Sequence, residues 1–346
     1  MFARILAAVV VVAAAAMALV LAWPQVLGLE QSRLVAQAVA MRGLAAAIAI
    51  VLVVVLTLFA LLWVGGRRFI ASLAIVALLF AGINGVVLAS RGFGGPGFPT
   101  PGDGAVTVLS WNTLGEAPSA EDVADLIVET AADVAALPES TWEYASELVA
   151  ILASRGVVMQ PFTSAYDTIS KSRSTTILVS AELGEYRADT SAPTTSVLPS
   201  VVAAPVDGDG PTFVGVHAVA PVEGDMAGWR FDLQWLAAQC SPDGLAGAPG
   251  GVIMAGDFNS TIDHWARLAS PDTPGAVLGS CVDSAAQADA GGLGTWPAFL
   301  PQALGSPIDH VVHSAAWRTT GFRVIGTLDG SGSDHRPILA QLDPAG

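Results

Sequence analysis

Three long apolar stretches dominate the first ninety residues of the chain. They cover residues 5–23, 44–64 and 69–89 and contain no charged side chain. A helix rises about 1.5 Å per residue, so each stretch is long enough to cross a hydrocarbon core of about 30 Å. The pattern predicts a transmembrane region over residues 1–89. The first stretch is also compatible with a cleaved signal peptide, because Arg4 precedes it and small residues lie within it.

The pattern changes after residue 89. Residues 90–104 are rich in glycine and proline and predict a linker. Residues 105–346 form one large domain or two small ones. Short runs of Val, Ile and Leu bounded by turn residues predict strands at 106–111, 134–137, 175–180, 197–203, 212–217, 252–255, 308–312, 323–327 and 338–342. Helices are predicted at 119–130, 142–154 and 226–239, so the domain has a mixed α/β architecture.

Basic residues predict how the helices cross the membrane. Arg67 and Arg68 occupy the very short connection between the second and third apolar stretches. Such arginine pairs stay in the cytoplasm, so the third helix leads residues 91–346 to the other side. This holds whether or not the first stretch is cleaved. We expect a multi-pass protein of the cell membrane whose C-terminal domain is extracellular or periplasmic.

Composition and charge exclude several classes of function. The mean hydropathy of +0.58 is too high for an ordinary soluble enzyme. Residues 91–346 contain 10 basic and 29 acidic residues, a net charge of −19. This charge excludes a basic nucleic-acid-binding stripe, and we expect no tight binding of duplex DNA, because such affinity comes from basic contacts to phosphates.

The only two cysteines, Cys240 and Cys281, lie in the exported part of the chain. Because that compartment is oxidising, we expect a disulfide between them, and two buried free thiols are the alternative. The absence of a Cys-x-x-Cys spacing disfavours a zinc site.

Rare polar residues follow several of the predicted strands. Strand ends at one edge of a sheet are where a rigid scaffold presents a site. Each residue alone is a common turn or cap residue, but the set predicts a shared site: Asn112, Glu139, His217, Asp257, Asn259, Asp309, Asp334 and His335.

Together these residues resemble the endonuclease/exonuclease/phosphatase superfamily, which includes pancreatic deoxyribonuclease, exonuclease III, bacterial neutral sphingomyelinases and inositol polyphosphate 5-phosphatases. The motifs occur in the family's order: Ser110-Trp111-Asn112, Leu137-Pro138-Glu139, Val216-His217, Gly256-Asp257-Phe258-Asn259, Ile308-Asp309-His310 and Ser333-Asp334-His335-Arg336-Pro337. The resemblance covers residues 106–342. It implies a four-layer α/β sandwich, two central mixed sheets flanked by helices, with the site at one end of the sheets.

The resemblance also implies roles for the metal-binding residues. Glu139 is the main ligand of Mg²⁺ or Mn²⁺, Asn112 helps to hold metal or phosphate, and Asp334 joins a second metal position. Carboxylate and amide oxygens suit Mg²⁺, which binds few protein oxygens and keeps several waters.

The catalytic roles follow from the same resemblance. Asp257 orients or deprotonates the attacking water, and Asn259 positions this water and the phosphate. His335 contacts the phosphate or transfers a proton, with its ring fixed by Asp309. His217 donates to the phosphate or the leaving group.

The substrate is less well specified. The strand at 175–180 lacks the arginine that often follows serine in relatives; Lys171 and Arg173 just upstream are candidate replacements, and a solvated loop is the alternative. Trp296 is a candidate for stacking on a base or sugar, or else anchors its loop. The expected substrate is a phosphoester: a lipid headgroup, a nucleotide or a nucleic acid. The prediction is a Mg²⁺-dependent phosphoesterase; the alternatives are a nuclease of the same fold and a catalytically silent binding or sensor module.

Overall fold

A computed structural model describes residues 1–94, 97–167, 169–191 and 194–345. Its N-terminal part contains α1 (Phe2–Ala22), α2 (Arg33–Ala40), α3 (Arg42–Leu62) and α4 (Arg67–Arg91). Three of these helices, α1, α3 and α4, are long and apolar enough to cross a membrane, which confirms the three predicted helices with bounds shifted by one to three residues. Helix α2 was not predicted from the sequence.

The described residues of the C-terminal part form twelve strands and four helices. The strands are β1 (Val106–Ser110), β2 (Val134–Pro138), β3 (Met159–Ala165), β4 (Ser174–Ser180), β5 (Tyr186–Ala188), β6 (Val201–Pro205), β7 (Thr212–His217), β8 (Val252–Asp257), β9 (Val282–Asp283), β10 (Asp309–His313), β11 (Trp317–Val324) and β12 (Ile338–Pro344). The helices are α5 (Ala120–Thr130), α6 (Trp142–Ser154), α7 (Met226–Gln239) and α8 (Ser284–Gln287).

The strands form two six-stranded mixed sheets. The first has the order β11-β12-β1-β2-β4-β3 and the second the order β5-β6-β7-β8-β10-β9. Strands β1 and β2 are parallel, as are β7 and β8, and the other pairings are antiparallel. The sequence missed β3, β5 and β9, and the strand predicted at 323–327 instead begins six residues earlier, as β11.

Three apolar clusters hold the layers together. The central one lies between the sheets, and Phe213, Ile253 and Val311 of the second sheet pack there against Ile177 of the first. A second cluster joins α5 and α6 to the outer face of the first sheet, and a third joins α7 to the outer face of the second. Because each sheet is covered on both faces, central strands such as β1 are buried along their whole length. The predicted four-layer α/β sandwich is confirmed.

The segment predicted as a linker, 90–104, lies against the domain where it is described. Ser90 and Arg91 complete α4. The amide of Gly94 donates to the carbonyl of Asp289 over 3.1 Å. The guanidinium of Arg323 lies over the ring of Phe98, 5.2 Å from its centroid. Residues 95 and 96 of this segment lie outside the described residues.

A buried ion cluster connects the N-terminal helices to the domain. Arg42, the first residue of α3, donates to both carboxylate oxygens of Asp263 over 2.8 Å, and Arg91 lies 2.8 Å from one of them. Arg42 also donates to Asn84, a buried residue of α4, over 2.7 Å. Each charge in the cluster therefore has a partner, as buried charges require.

Candidate metal and catalytic site

Three predicted site residues come together at one end of the second sheet. Asp257 is the last residue of β8 and Asp309 the first of β10, and the antiparallel register places them opposite each other. His217, the last residue of β7, is the parallel partner of Asp257. Because these strands end at the same edge, their polar side chains gather there.

The first sheet contributes residues to the same place. Asn112 follows β1, and Glu139 follows β2, which is parallel to β1. His335 precedes β12, which is antiparallel to β1 and therefore begins at the same end. The Asn112 amide nitrogen donates to Oδ2 of Asp257 over 3.0 Å and lies 3.4 Å from Oε1 of Glu139. Asn112 therefore connects the two sheets through the site.

Two of the residues have left-handed backbone conformations, with φ of +63° at Glu139 and +44° at Asn259. Asparagine tolerates this region, but it is uncommon for glutamate, and such strain is characteristic of functional sites. The turn at Asn259 is held by Asp257, whose Oδ1 accepts from the Asn259 amide over 2.8 Å. The Asn259 side chain also donates to Oδ2 of Asp257, over 3.1 Å.

Asp257, Asp309 and His335 form the tightest cluster. Their candidate ligand atoms lie within 4.8 Å of one another, and all three side chains are buried. Nδ1 of His335 lies 2.9 Å from Oδ2 of Asp309, and its Nε2 lies 3.8 Å from Oδ2 of Asp257. The ring is therefore held between two carboxylates.

This crowding changes the pKa values of the group. Burial opposes a charge on His335, but Asp309 and Asp257 outweigh it and raise its pKa to about 10. Burial, joined by the negative charge of Asp309, raises the pKa of Asp257 to about 7. Burial also raises the pKa of Glu139. The site therefore favours a cation beside these carboxylates.

Two side-chain atoms at the site have no hydrogen-bond partner among the described residues. One is Nδ1 of His217, on a ring that is fully buried. Burial and the nearby His335 lower the pKa of His217 to about 3, so its ring is neutral. The other is Oδ1 of Asp334, whose Oδ2 accepts from the indole of Trp296 over 2.8 Å. Buried polar atoms normally have partners, so both atoms are available to a bound group.

The comparison with known proteins then decides the family. A family model described as "Endonuclease/Exonuclease/phosphatase family" matches residues 109–335, about two thirds of the chain. The chain belongs to this family. Because members of the endonuclease/exonuclease/phosphatase family are metal-dependent phosphoesterases, the prediction of a phosphoric ester hydrolase is confirmed.

Solved structures share the fold of the family. A humanised TDP2 from D. rerio is 18% identical, with a TM-score of 0.51 over 69% of this chain and 99% of that one. A family protein from Beutenbergia cavernae is also 18% identical, with a TM-score of 0.51 over 70% of this chain and 72% of that one. D. rerio TDP2 with a single-strand DNA product is 17% identical, with a TM-score of 0.51 over 70% and 100%. At such identities the likeness shows the fold alone. No curated protein matches the chain in sequence.

The donor set fits the divalent metal ion that the family uses. Carboxylate oxygens of Glu139 and Asp334 suit a hard cation, and Oδ1 of Asp334 has no other hydrogen-bond partner among the described residues. Asn112 directs its amide nitrogen toward the carboxylates, while its oxygen accepts from the Leu114 amide over 3.0 Å. In this structure Asn112 therefore aligns the acidic ligands, and Glu139 is the better candidate ligand.

The two predicted phosphate-binding residues are engaged with acidic partners. Nζ of Lys171 lies 2.5 Å from Oε2 of Glu116, and Nε of Arg173 lies 3.3 Å from Oδ2 of Asp167. Lys171 is half exposed and lies against the 113–116 turn that follows Asn112. Lys171 therefore lies at the rim of the site.

The sequence analysis assigned no role to two hydroxyl residues of the site. Ser333 donates to the carbonyl of Asn112 over 2.7 Å and accepts from the amide of His335 over 3.1 Å. The hydroxyl of Thr295 accepts from the amide of Asp309 over 3.2 Å. Ser333 could have been found from the sequence, because it lies inside the Ser-Asp-His-Arg-Pro motif. Thr295 could not, because it lies outside the motifs that carried the resemblance.

Proposed function

We propose that this protein is a membrane-anchored, outward-facing phosphoesterase that uses Mg²⁺ to hydrolyse a phosphodiester or phosphomonoester. The single observation that carries the proposal is the convergence of Asp257, Asp309 and His335 within 4.8 Å, at the end where Asn112 and Glu139 also lie. Mn²⁺ is the alternative metal. When bound, the ion supplies positive charge that stabilises the phosphoryl oxygens and the leaving oxygen.

Asp257 and Asn259 act on the attacking water. Asp257 orients the attacking water and accepts its proton, and Asn259 fixes Asp257 through two hydrogen bonds. The raised pKa of Asp257 makes it a stronger base than a free aspartate. Water attacks phosphorus opposite the leaving oxygen, the bond to that oxygen breaks, and the departing alkoxide takes up a proton.

The two histidines act on the phosphate. His335 carries a positive charge stabilised by Asp309 and donates from Nε2 to a phosphoryl oxygen. His217 is neutral and donates a hydrogen bond to the phosphate or the leaving oxygen. Glu139 is the main metal ligand in this scheme, and Asp334 serves a second metal position.

The charges at the two ends of the helices support the orientation. The connection between α3 and α4 and the start of α1 carry Arg4, Arg67 and Arg68, and no described residue forms an ion pair with them. At the domain end, Arg33 pairs with Glu223, and Arg42 pairs with Asp263. The unpaired arginines therefore mark the cytoplasmic end by the positive-inside rule.

Labelling in whole cells tests this orientation. A membrane-impermeant maleimide should label an Asp209→Cys variant in intact cells, because Asp209 is exposed on the domain. A Gly65→Cys variant should be labelled only after permeabilisation. The reverse pattern would place the domain in the cytoplasm.

Activity of the full chain in detergent tests the reaction. With Mg²⁺ it should cleave bis-p-nitrophenyl phosphate, and a chelator should stop the reaction. Asp257→Ala should abolish turnover, whereas Glu182→Ala, an exposed residue just beyond β4, should not change it. Inactivity of the wild type across a broad panel of phosphoesters would favour a silent binding module. Efficient digestion of plasmid or single-stranded DNA would favour the nuclease, which the net charge of −19 disfavours.

A further inference from the structure

The membrane helices contact the same end of the second sheet that carries the candidate site. The segment after β8 leads from Asp257 to Asp263 in six residues, and Asp263 is bonded to Arg42 at the start of α3. An extended chain spans at most about 3.6 Å per residue, so this path is about 22 Å or less. Asp257 in the site therefore lies within about 22 Å of Asp263, where the helices contact the domain.

A second segment, the site loop (residues 294–305), contacts both the site and α3. At one end, the indole of Trp296 donates to Asp334 over 2.8 Å. At the other end, Ala303 lies against Gly43, where a Cβ atom would be only 2.0 Å from the Ala303 carbonyl oxygen. Trp296 and Ala303 are seven residues apart, which limits their separation to about 25 Å.

Phe299 is an exposed aromatic residue at the centre of the site loop. Its side chain is 82% exposed, while Pro297 and Ala298 are buried. The guanidinium of Arg336 donates to the carbonyls on both sides of it, at Ala298 over 2.6 Å and at Leu300 over 2.7 Å. Arg336 is itself buried and paired with Asp329. These contacts fix the backbone on both sides of Phe299, so the fold itself places its aromatic ring in solvent.

Other apolar side chains lie at this end of the helices. Trp23, at the end of α1, and Leu34, on α2, are both exposed. Trp63 lies at the opposite end of the bundle, at the end of α3. Tryptophans in these positions mark the two membrane–water interfaces. The loop with Phe299 is thus close to the outer interface, where an aromatic ring is stable.

We propose that the substrate is a lipid of the outer leaflet, whose headgroup phosphoester reaches the site while Phe299 inserts into the interface beside it. This inference rests on the proposed function and names its substrate class. Water attacks the headgroup phosphorus, the phosphorus–oxygen bond to one ester group breaks, and the released alcohol keeps the leaving oxygen and gains a proton. The acidic surface of the domain, at −19, suits such a compact substrate better than a polyanion.

Reconstitution of the full chain into vesicles tests the inference. The vesicles contain equal parts of phosphatidylcholine, phosphatidylethanolamine, phosphatidylglycerol and phosphatidic acid, diluted into digalactosyldiacylglycerol, which has no phosphorus. We expect Mg²⁺-dependent loss of at least one phospholipid by phosphorus-31 NMR. Phe299→Ser should raise the half-saturating mole fraction of that lipid about tenfold, because burial of a phenyl ring in the interface strengthens binding to the lipid by at least that factor. Phe299→Trp should restore it.

Two controls separate the outcomes. Val158→Ser removes another exposed apolar residue, which lies beside the start of β3 at the opposite end of the first sheet, and should leave lipid turnover unchanged. All variants should cleave soluble bis-p-nitrophenyl phosphate at the wild-type rate. Cleavage of this soluble ester without any lipid loss would overturn the inference but not the proposed function. A Phe299→Ser variant with the wild-type half-saturating mole fraction of lipid would have the same consequence. Failure on both substrates would overturn the proposed function itself.

Discussion

Asp309 holds His335 with both carboxylate oxygens, which lie 2.9 and 3.2 Å from Nδ1 of the ring. The contact fixes the ring and stabilises its positive charge. In Asp309→Asn the charge is lost, and the introduced amide group can present a donor to Nδ1. We expect kcat on bis-p-nitrophenyl phosphate to fall by about two to four orders of magnitude, as for a carboxylate that orients a catalytic histidine.

A second buried pair provides the matched control for this substitution. Oδ2 of Asp283 lies 2.7 Å from Nδ1 of His310, whose Nε2 contacts the carbonyl of Ser260. Asp283→Asn should lower the unfolding midpoint while kcat per folded molecule stays near the wild-type value. Equal losses of kcat in the two variants would show that Asp309 acts only through stability.

Metal binding should stabilise the folded protein, because four carboxylates share the site: those of Glu139, Asp257, Asp309 and Asp334. Mg²⁺ that binds only the native state should raise Tm as its concentration rises, because it increases the free energy of unfolding by about 2.7 kcal/mol at a hundredfold excess over Kd. Glu139→Gln should remove most of this increase. Glu116→Gln, which leaves Lys171 unpaired at the rim, should keep it. Differential scanning fluorimetry with and without chelator measures both variants, and an equal Mg²⁺ response in both would contradict the ligand assignment.

The ion pair between Asp263 and Arg42 should dominate the contact of the helices with the domain. Both side chains are buried, with about 4% of their surface exposed. Asp263→Asn leaves two arginines without a carboxylate, and removing one partner of a buried pair costs about 3–5 kcal/mol. We expect a clearly lower urea midpoint for the full chain in detergent. Glu223→Gln, which removes an exposed partner of Arg33, should cost less than about 1 kcal/mol.

The same pair predicts how this contact responds to acid. Although burial opposes it, hydrogen bonds and charge from Arg42 and Arg91 hold the pKa of Asp263 well below its ordinary value of 3.8. A depressed pKa stabilises the folded state fully above pH 3.8, and the effect is lost as pH falls through the folded value. The stability difference between wild type and Asp263→Asn should therefore be constant from pH 7 to 5. A difference that vanishes within this range would contradict the assignment.

The disulfide should contribute several kcal/mol to stability. Cys240 and Cys281 are bonded in the structure, fully buried, and separated by 41 positions. Closing a loop of this length restricts the unfolded chain and stabilises the native state by about 4 kcal/mol. Replacing both cysteines with alanine should lower the urea midpoint accordingly, and a reductant should then have no further effect. A midpoint unchanged by the double substitution would exclude the bond as a stabilising element.

Sequence reasoning located most of the fold because buried strands such as β8 are continuous apolar runs. It missed β3, whose side chains are mostly half-buried, and β9, which has only two residues. The motif residues could be grouped because each follows or precedes a strand at one edge. The direction of the Asn112 amide and the pairing of Lys171 with Glu116 depend on tertiary contacts, which no local pattern encodes.

The contact between the helices and the domain could not be predicted from the sequence either. Asp263 resembles any polar residue near a helix start until Arg42 and Arg91, more than 170 positions upstream, are placed beside it. Phe299 was likewise an ordinary loop residue in the sequence, and only its exposure and the contacts of Arg336 distinguish it.

The hydrogen bond from Asn112 to Asp257 joins groups 145 positions apart, on different sheets. Neither half of the sandwich contains a complete reactive centre, so an unfinished chain cannot hydrolyse esters. Hydrolysis therefore requires that both sheets have been synthesised and have folded against each other.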